Sequence, residues 1–239
     1  RTDIRFLAPL PVFNADGSEG VMCGNGVRCA AEFLYTHGVR RDCIRIDTPS
    51  AGQRVLHRVG DGLWQVEMGR FTAAPDAVGA VGLGGGPLLD VPLCAGGRAW
   101  RVHCVAVGNP HCVLFTHEPP PAGAELAAWG RALGHHPAFP GGINVEFAQP
   151  ISPTGLAVTV WERGSGATLA CGTGACAVAA AAVLTGRCPR GAPILVQLPG
   201  GTLEVCVQRD DTVLLTGDAA ATFSGTVLIQ PCKPPRGVV

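Results

Sequence analysis

Cys-Gly-polar-Gly occurs twice in this chain, each time directly ahead of a run of small residues. Cys23-Gly24-Asn25-Gly26 leads into Val27-Arg28-Cys29-Ala30-Ala31. Cys171-Gly172-Thr173-Gly174 leads into Ala175-Cys176-Ala177-Val178 and four further alanines. Each reads as a loop opening onto a helix. A helix start leaves backbone N–H groups unpaired and carries the positive end of the dipole. A cysteine placed there is expected to have a lowered pKa and an available thiolate. The recurrence constrains the fold. Two matched loop–helix units predict two related halves, each a sheet carrying one central helix, meeting at a cleft.

The surrounding pattern is strand-rich. Residues 3–13 read as extended and end in the turn Asn14-Ala15-Asp16-Gly17-Ser18. The first helix is predicted over 25–37 with Gly38 as its stop, followed by strands at 43–47, 53–59 and 63–68. Asp61-Gly62 is a tight hairpin signal between the last two. Residues 71–87, rich in Gly, Ala and Pro, read as a linker. Strands are expected at 99–107, 112–115, 143–148 and 157–162, with a short helix at 124–133. The second motif helix is predicted over 173–185, followed by strands at 194–198, 203–208 and 212–216. The expected class is α+β, with two pseudo-symmetric halves, each a mostly antiparallel sheet wrapped around a central helix. The division expected is 1–69, 70–218, and a segment 219–239 returning to the first half.

Composition narrows the function classes. The chain has 239 residues, 47% hydrophobic and 15% charged, with zero formal net charge. That supports a packed core and gives no basic surface for nucleic acid. No apolar run is long enough to span a bilayer, and no secretory leader pattern opens the chain. Eleven scattered cysteines, an odd number, read as free thiols of a reducing cytoplasm. The single lysine, Lys233, sits between Cys232 and Pro234-Pro235. That is a poor scaffold for a pyridoxal phosphate Schiff base, so chemistry is expected without that cofactor. The spacing of the cysteines does not resemble a zinc site, and no metal is expected.

Two thiols of tuned pKa fit proton exchange at a carbon next to a carboxylate. One ionised sulfur takes the proton from one face and the other, protonated, returns it to the opposite face, so the centre inverts. The glycines let the backbone approach a ligand, and their N–H groups can cradle a carboxylate. On residues alone, Asn14 suits an Asx turn as well as a substrate contact. His111 reads first as a core histidine.

Further motifs carry a resemblance. Phe13-Asn14-Ala15-Asp16-Gly17-Ser18-Glu19 followed by Met22-Cys23-Gly24-Asn25-Gly26-Val27-Arg28-Cys29, and Glu162-Arg163-Gly164-Ser165-Gly166 running on to Cys171-Gly172-Thr173-Gly174, are similar to the diaminopimelate epimerase family. Gly108-Asn109-Pro110-His111-Cys112, Asn144-Val145-Glu146-Phe147 and Leu198-Pro199-Gly200-Gly201 match in the same order. The resemblance implies cofactor-independent interconversion of LL- and meso-diaminopimelate in lysine biosynthesis, with Cys23 and Cys171 as the exchanging acid and base. It implies substrate contacts from Asn14, Asn109, Asn144, Glu162 and Arg163, and backbone cradles at Gly24-Asn25 and Gly172-Thr173. His111 and Glu162 would flank the thiols and influence their protonation. A small-molecule amino acid is the expected partner, with a homodimer as the expected assembly.

The family begins with a Gly-Asn-Asp-Phe segment and a Gln-containing stretch before the first cysteine, and nothing in residues 1–12 matches either. The N-terminal half is therefore expected to be incomplete. Three other readings stand beside the main one. A proline or hydroxyproline racemase typically has Cys-Gly-His-Gly in the first motif, and Asn25 and Glu162-Arg163 point away from it. The other two are a non-catalytic binding module and a thiol redox protein using Cys23 and Cys171.

Overall fold

The computed structural model of the chain describes residues 5–6, 10–13, 19–20, 23–49 and 52–226. The first part holds β1 (Arg5–Phe6), β2 (Val12–Phe13), β3 (Glu19–Gly20), α1 (Gly24–Thr36), β4 (Cys43–Thr48), β5 (Gly52–Gly60) and β6 (Leu63–Arg70). Next come α2 (Pro75–Val78), β7 (Val91–Ala95), β8 (Arg98–Ala106), β9 (Pro110–Phe115) and α3 (Gly123–Gly134). The last part holds β10 (Asn144–Ser152), β11 (Gly155–Glu162), β12 (Gly166–Thr168), α4 (Gly172–Leu184), β13 (Pro193–Leu198), β14 (Gly201–Val207) and β15 (Thr212–Asp218).

The fold is α+β. One curled sheet runs in the order β1-β4-β5-β6-β15-β14-β13-β11-β10-β9-β8-β7, with β12 added at β11 and β2–β3 forming a separate hairpin. Pairing is antiparallel except at β1–β4, β9–β10 and β11–β13. Both motif helices fall where the sequence places them.

The two helices are buried differently, and their sequences say why. Residues 172–182 of α4 are all buried, and the helix touches β8, β9, β10, β13, β14 and β15. Alanine on every face lets strands close in from all sides, as a helix apolar all round requires. In α1, by contrast, Gly24, Val27, Arg28 and Ala31 are buried at the i, i+3, i+4, i+7 spacing of one helical face. That face rests on β6, β15 and α4. Trp64 of β6, fully buried, donates its Nε1–H to Glu32 Oε2 at 2.7 Å and fixes the helix along the sheet.

β8, β9 and β10 are buried on both faces, which explains their near-continuous apolar runs. One face, with Val105, Val113 and Ala148, packs on the core around α4. The other, with Cys104, Cys112, Val145 and Phe147, packs with Trp100 beneath α3. Strand alternation decides what the α4 face can carry. His111 shares a face with Val113, while Asn144 and Glu146 share one with Ala148. In β11, Glu162 shares a face with Val160, which belongs to the α4 core, and Trp161 turns to the α3 side. The polar groups of three strands thus collect on the side occupied by α4.

Residues 71–87 are not a free linker. Phe71, Ala73 and Val78 are buried, and Thr72 exchanges both backbone hydrogen bonds with Ala106, at 3.1 and 2.8 Å. The buried side chains are confined to these three positions, the short helix α2 lies between the sheet contacts and the chain beyond, and residues 84–87 are exposed. The hairpin arm β7 and the short β12 also lack a sequence signal strong enough to find them. Among the described residues no helix is long and apolar enough to cross a membrane.

α3 docks on β11 through Gly130, where a Cβ would lie 2.5 Å from both Cβ and Cγ of Trp161. Replacing a mid-helix glycine by alanine ordinarily stabilises by up to about 1 kcal/mol. Here the sign reverses. Gly130→Ala is expected to destabilise by roughly 1–3 kcal/mol, the range for overpacking, read as a lower urea midpoint at unchanged slope.

Candidate active site

The two Cys-Gly-polar-Gly segments are the N-terminal caps of α1 and α4. Cys23 (φ −124°, ψ 108°) and Cys171 (φ −133°, ψ 115°) are both extended. Each Sγ accepts the backbone N–H three residues on, from Gly26 at 3.3 Å and from Gly174 at 3.4 Å. Sulfur here fills the place that a hydroxyl or carboxylate oxygen usually takes at a helix start.

The fold brings these caps together. A Cβ on Gly172 would lie 3.3 Å from Gly24 Cα and 3.1 Å from Leu215 Cδ2. A Cβ on Gly24 would lie 3.6 Å from Gly172 Cα and 3.0 Å from the same Leu215 carbon. The first residues of the two helices are therefore in contact above Leu215, and a Cβ at either position would have to displace the Leu215 side chain or the facing helix start by a few tenths of an ångström. Each cysteine precedes one of these glycines, so both thiols belong to one locus, with two positive helix ends converging on it.

The shells of the two thiols differ. Cys23 is half-buried and Cys171 is buried. Burial, and then the charges of Glu162 and Glu146, push the Cys171 thiol well above its usual value, outweighing the hydrogen bonds from Thr173 and Gly174. The lowered pKa expected from a helix start is not what this site gives Cys171, because burial of the thiol, and after it the nearby Glu162 and Glu146, outweigh the dipole. Cys171 is held as a thiol, with Thr173 Oγ1 at 3.4 Å from Sγ.

His111 is fully buried. Its Nδ1 lies 2.6 Å from Glu146 Oε1 and its Nε2 lies 3.0 Å from Asn109 Oδ1. The core reading of His111 is correct about its burial, but its partners are side chains of the site rather than backbone. Glu162 Oε1 accepts from Thr168 Oγ1 at 2.5 Å. Asn144 is occupied at both ends of its amide. Its Nδ2 donates to the Pro110 carbonyl at 3.2 Å and its Oδ1 accepts the Arg163 N–H at 2.8 Å. Arg163 is exposed and donates to the Gly141 carbonyl at 2.9 Å, so gripping a carboxylate requires it to exchange that partner. Asn14 lies outside the described residues.

Two buried ionisable side chains at the site were not singled out in the sequence. Arg28 Nη1 donates to the Gly24 carbonyl at 3.2 Å and Nη2 to Asn25 Oδ1 at 3.0 Å. Its Nε reaches the Asp218 carbonyl at 3.5 Å. Desolvation lowers its pKa, yet a guanidinium stays charged through the working range. The available signal was the i, i+4 spacing from Gly24, which stacks the side chain under the loop. Glu146 is fully buried, and its carboxyl is pushed up chiefly by that burial. Its signal was a lone carboxylate in the apolar run Asn144–Ala148, two residues from Asn144 and so on the same strand face.

A groove of about 720 Å³ lies elsewhere, on the outer face of α1, lined by Cys29, Phe33, His37, Ile46 and Ala219–Phe223. Its walls are largely apolar and contain neither thiol of the caps.

Known proteins resemble the chain along most of its length. The family described as Diaminopimelate epimerase matches residues 1–73 and 103–222. A diaminopimelate epimerase of Synechococcus elongatus is 44% identical over 218 residues, covering 90% of this chain and 76% of the relative. One from Synechococcus sp. is 48% identical over 229 residues, with the same coverage of 90% and 76%. A crystal structure of a hydroxyproline epimerase from Agrobacterium vitis shares the fold, with a TM-score of 0.65 at 16% identity, over 87% of this chain and 66% of that one.

The difference in burial is measurable without substrate. Alkylation of the native reduced protein with iodoacetamide at pH 8, followed by peptide mass mapping, is expected to label exposed Cys29 and Cys94 and half-buried Cys23, while Cys171 reacts only after unfolding. Labelling of Cys171 at the rate of Cys23 contradicts the assigned burial.

Proposed function

Since the chain belongs to the diaminopimelate epimerase family, we propose that it interconverts LL- and meso-2,6-diaminopimelate, a step of lysine biosynthesis, by two-thiol acid–base catalysis with no cofactor. The observation that carries this reading is the contact of Gly24 with Gly172, which sets a thiol-capped helix start on each side of one locus.

The chemistry follows from that geometry. A Cα–H next to a carboxylate is a weak acid, and removing its proton puts negative charge into the carboxylate. The N–H groups of the first turns, at 24–25 and 172–173, have no partner within their helices. Aimed at the carboxylate, they oppose that charge together with both helix dipoles. Donors already in place act more strongly than solvent, because they need no reorganisation as the charge develops. One sulfur, as thiolate, accepts the proton from one face. The other, as thiol, delivers its proton to the opposite face. One thiolate and one thiol enter the step and one of each leaves it, with the roles exchanged and the centre inverted. Cys171, held protonated before substrate arrives, is the donor in the first half of such a turnover, and the reverse direction exchanges the two.

Asn14, Asn25, Asn109, Asn144, Glu162 and Arg163 complete the substrate site in this reading. Neutral amides can accept from ammonium and donate to carboxylate, and Arg163 suits the distal carboxylate by its forked donors. His111 and Glu162 influence the thiols from behind. A cytoplasmic setting suits a mechanism that needs both sulfurs reduced. The resemblance also carries the homodimer, which light scattering on the purified protein measures.

Incubation of reduced protein with LL-diaminopimelate in heavy water should place deuterium at one Cα and yield the meso isomer. Cys23→Ala and Cys171→Ala should each reduce that exchange by about 10²–10⁴-fold or more, the worth of a general acid or base. Unchanged exchange in both variants removes the thiols from the mechanism, and turnover of proline without turnover of diaminopimelate replaces the substrate. Gly172→Ala, which pushes the helix starts apart by a fraction of an ångström, should lower kcat, by up to about 10²-fold, with little loss of thermal stability.

A further inference from the structure

We propose that Glu146 is a positioning residue which, through His111, sets the Asn109 amide with its NH2 group turned toward the substrate as a carboxylate donor. The inference deepens the epimerase reading and rests on it for the nature of the ligand. Its structural half stands without that reading.

The hydrogen-bond chain has three members. Glu146 Oε1 lies 2.6 Å from His111 Nδ1, and His111 Nε2 lies 3.0 Å from Asn109 Oδ1. Glu146 and His111 are fully buried, while Asn109 is half-buried just before β9. A carbonyl oxygen only accepts, so a bond to Asn109 Oδ1 requires a proton on Nε2. A second proton then lies between Oε1 and Nδ1. Whether that proton rests on the carboxyl or on the ring, the pair is neutral overall.

The alternative is a flipped amide. Asn109 would then donate to a bare Nε2, Nδ1–H would donate to Glu146, and the pair would carry a net negative charge. Two observations weigh against it. Glu146 Oε2 is buried and makes no hydrogen bond among the described residues, a poor place for an anion. Glu162 adds a second carboxylate nearby, and burial favours the protonated form of Glu146. Gly174, in the first turn of α4, lacks the Cβ that would lie 2.8 Å from Glu146 Oε1, so glycine there makes the space that the carboxyl occupies.

The consequence falls on the substrate side. With Oδ1 held by His111, the two Nδ2 protons of Asn109 are what remains to offer a ligand. Asn25 is set the same way from the other half, since its Oδ1 accepts from Arg28 Nη2 at 3.0 Å. Both amides then present donors, which select carboxylate over ammonium.

The test combines a tautomer measurement with a double-mutant cycle on the full chain under reducing conditions. In protein labelled with ¹⁵N-histidine, the His111 ring should show a protonated Nε2 near neutral pH. A bare Nε2 with a protonated Nδ1 overturns the proposal whether or not the protein turns over diaminopimelate, and this readout needs no variant to fold. For LL-diaminopimelate, Glu146→Leu should raise KM about tenfold, as for one lost hydrogen bond to a charged group, with a smaller change in kcat. Asn109→Ala should raise KM by at least as much. The double variant should resemble Asn109→Ala alone, because Glu146 acts through Asn109. Additive effects, or a Glu146→Leu enzyme with the parent KM, overturn the positioning role. Absence of diaminopimelate turnover in the parent protein, with the expected tautomer present, overturns the epimerase reading and leaves the chain Glu146–His111–Asn109 standing.

Discussion

The contact between Gly24 and Gly172 is the constraint from which the rest of the molecule follows. Two helix N-termini repel each other electrostatically, since each carries roughly half a positive charge. Holding them together demands that the surrounding sheet supply the force. It does so through a core shared by both helices, in which α4 is enclosed by six strands and α1 lies against β6 and β15. The repulsion that this packing overcomes is also the source of function, because an anion placed between the two ends relieves it. A carboxylate is thus favoured by the fold before any side chain contributes.

Leu215 shows how finely that contact is built. One δ-carbon lies about 3 Å from the Cβ positions that both glycines lack, so a single side chain of β15 supports both helix starts. Gly217, on the same strand, has Arg28 against it: a Cβ there would lie 3.0 Å from the guanidinium carbon. The strand that joins the two halves of the sheet therefore also carries the floor of the site and the seat of its buried cation.

Much of this was legible in the sequence, for definite reasons. The cap cysteines and both helices announced themselves because a helix start has local chemistry, a side chain that can accept a backbone N–H followed by small residues. Strands β4 to β6 and β13 to β15 were legible through alternation and the turn signals at Asp61-Gly62 and Pro199-Gly200-Gly201. What stayed hidden was set by tertiary contacts. Residues 71–87 read as a linker because glycine and alanine have the same composition in a loop and in a segment anchored on a sheet at a few positions. The state of Cys171 stayed hidden because the helix dipole is visible locally, whereas its burial is set by the strands around α4, with Glu162 and Glu146 brought near by β11 and β10. Glu146 itself could be located by strand alternation, but its bond to His111 depends on the parallel pairing of β9 with β10, which no local pattern reveals.

The two halves repeat a backbone without repeating an electrostatic field. Both caps have the same extended conformation and the same bond from sulfur to the third amide. Beside Cys23 stands a buried guanidinium, bonded among the described residues to oxygen acceptors of backbone and amide, with Asp218 near it. Beside Cys171 stand two carboxyl groups, one of them wholly buried. Pseudo-symmetry alone would give two equivalent sulfurs, and equivalent sulfurs give no rule for which one starts with the proton. The deeper burial of Cys171 supplies that rule, because it holds the proton on that sulfur. The repeated backbone sets the opposing faces that inversion needs, and the unrepeated side chains assign the acid.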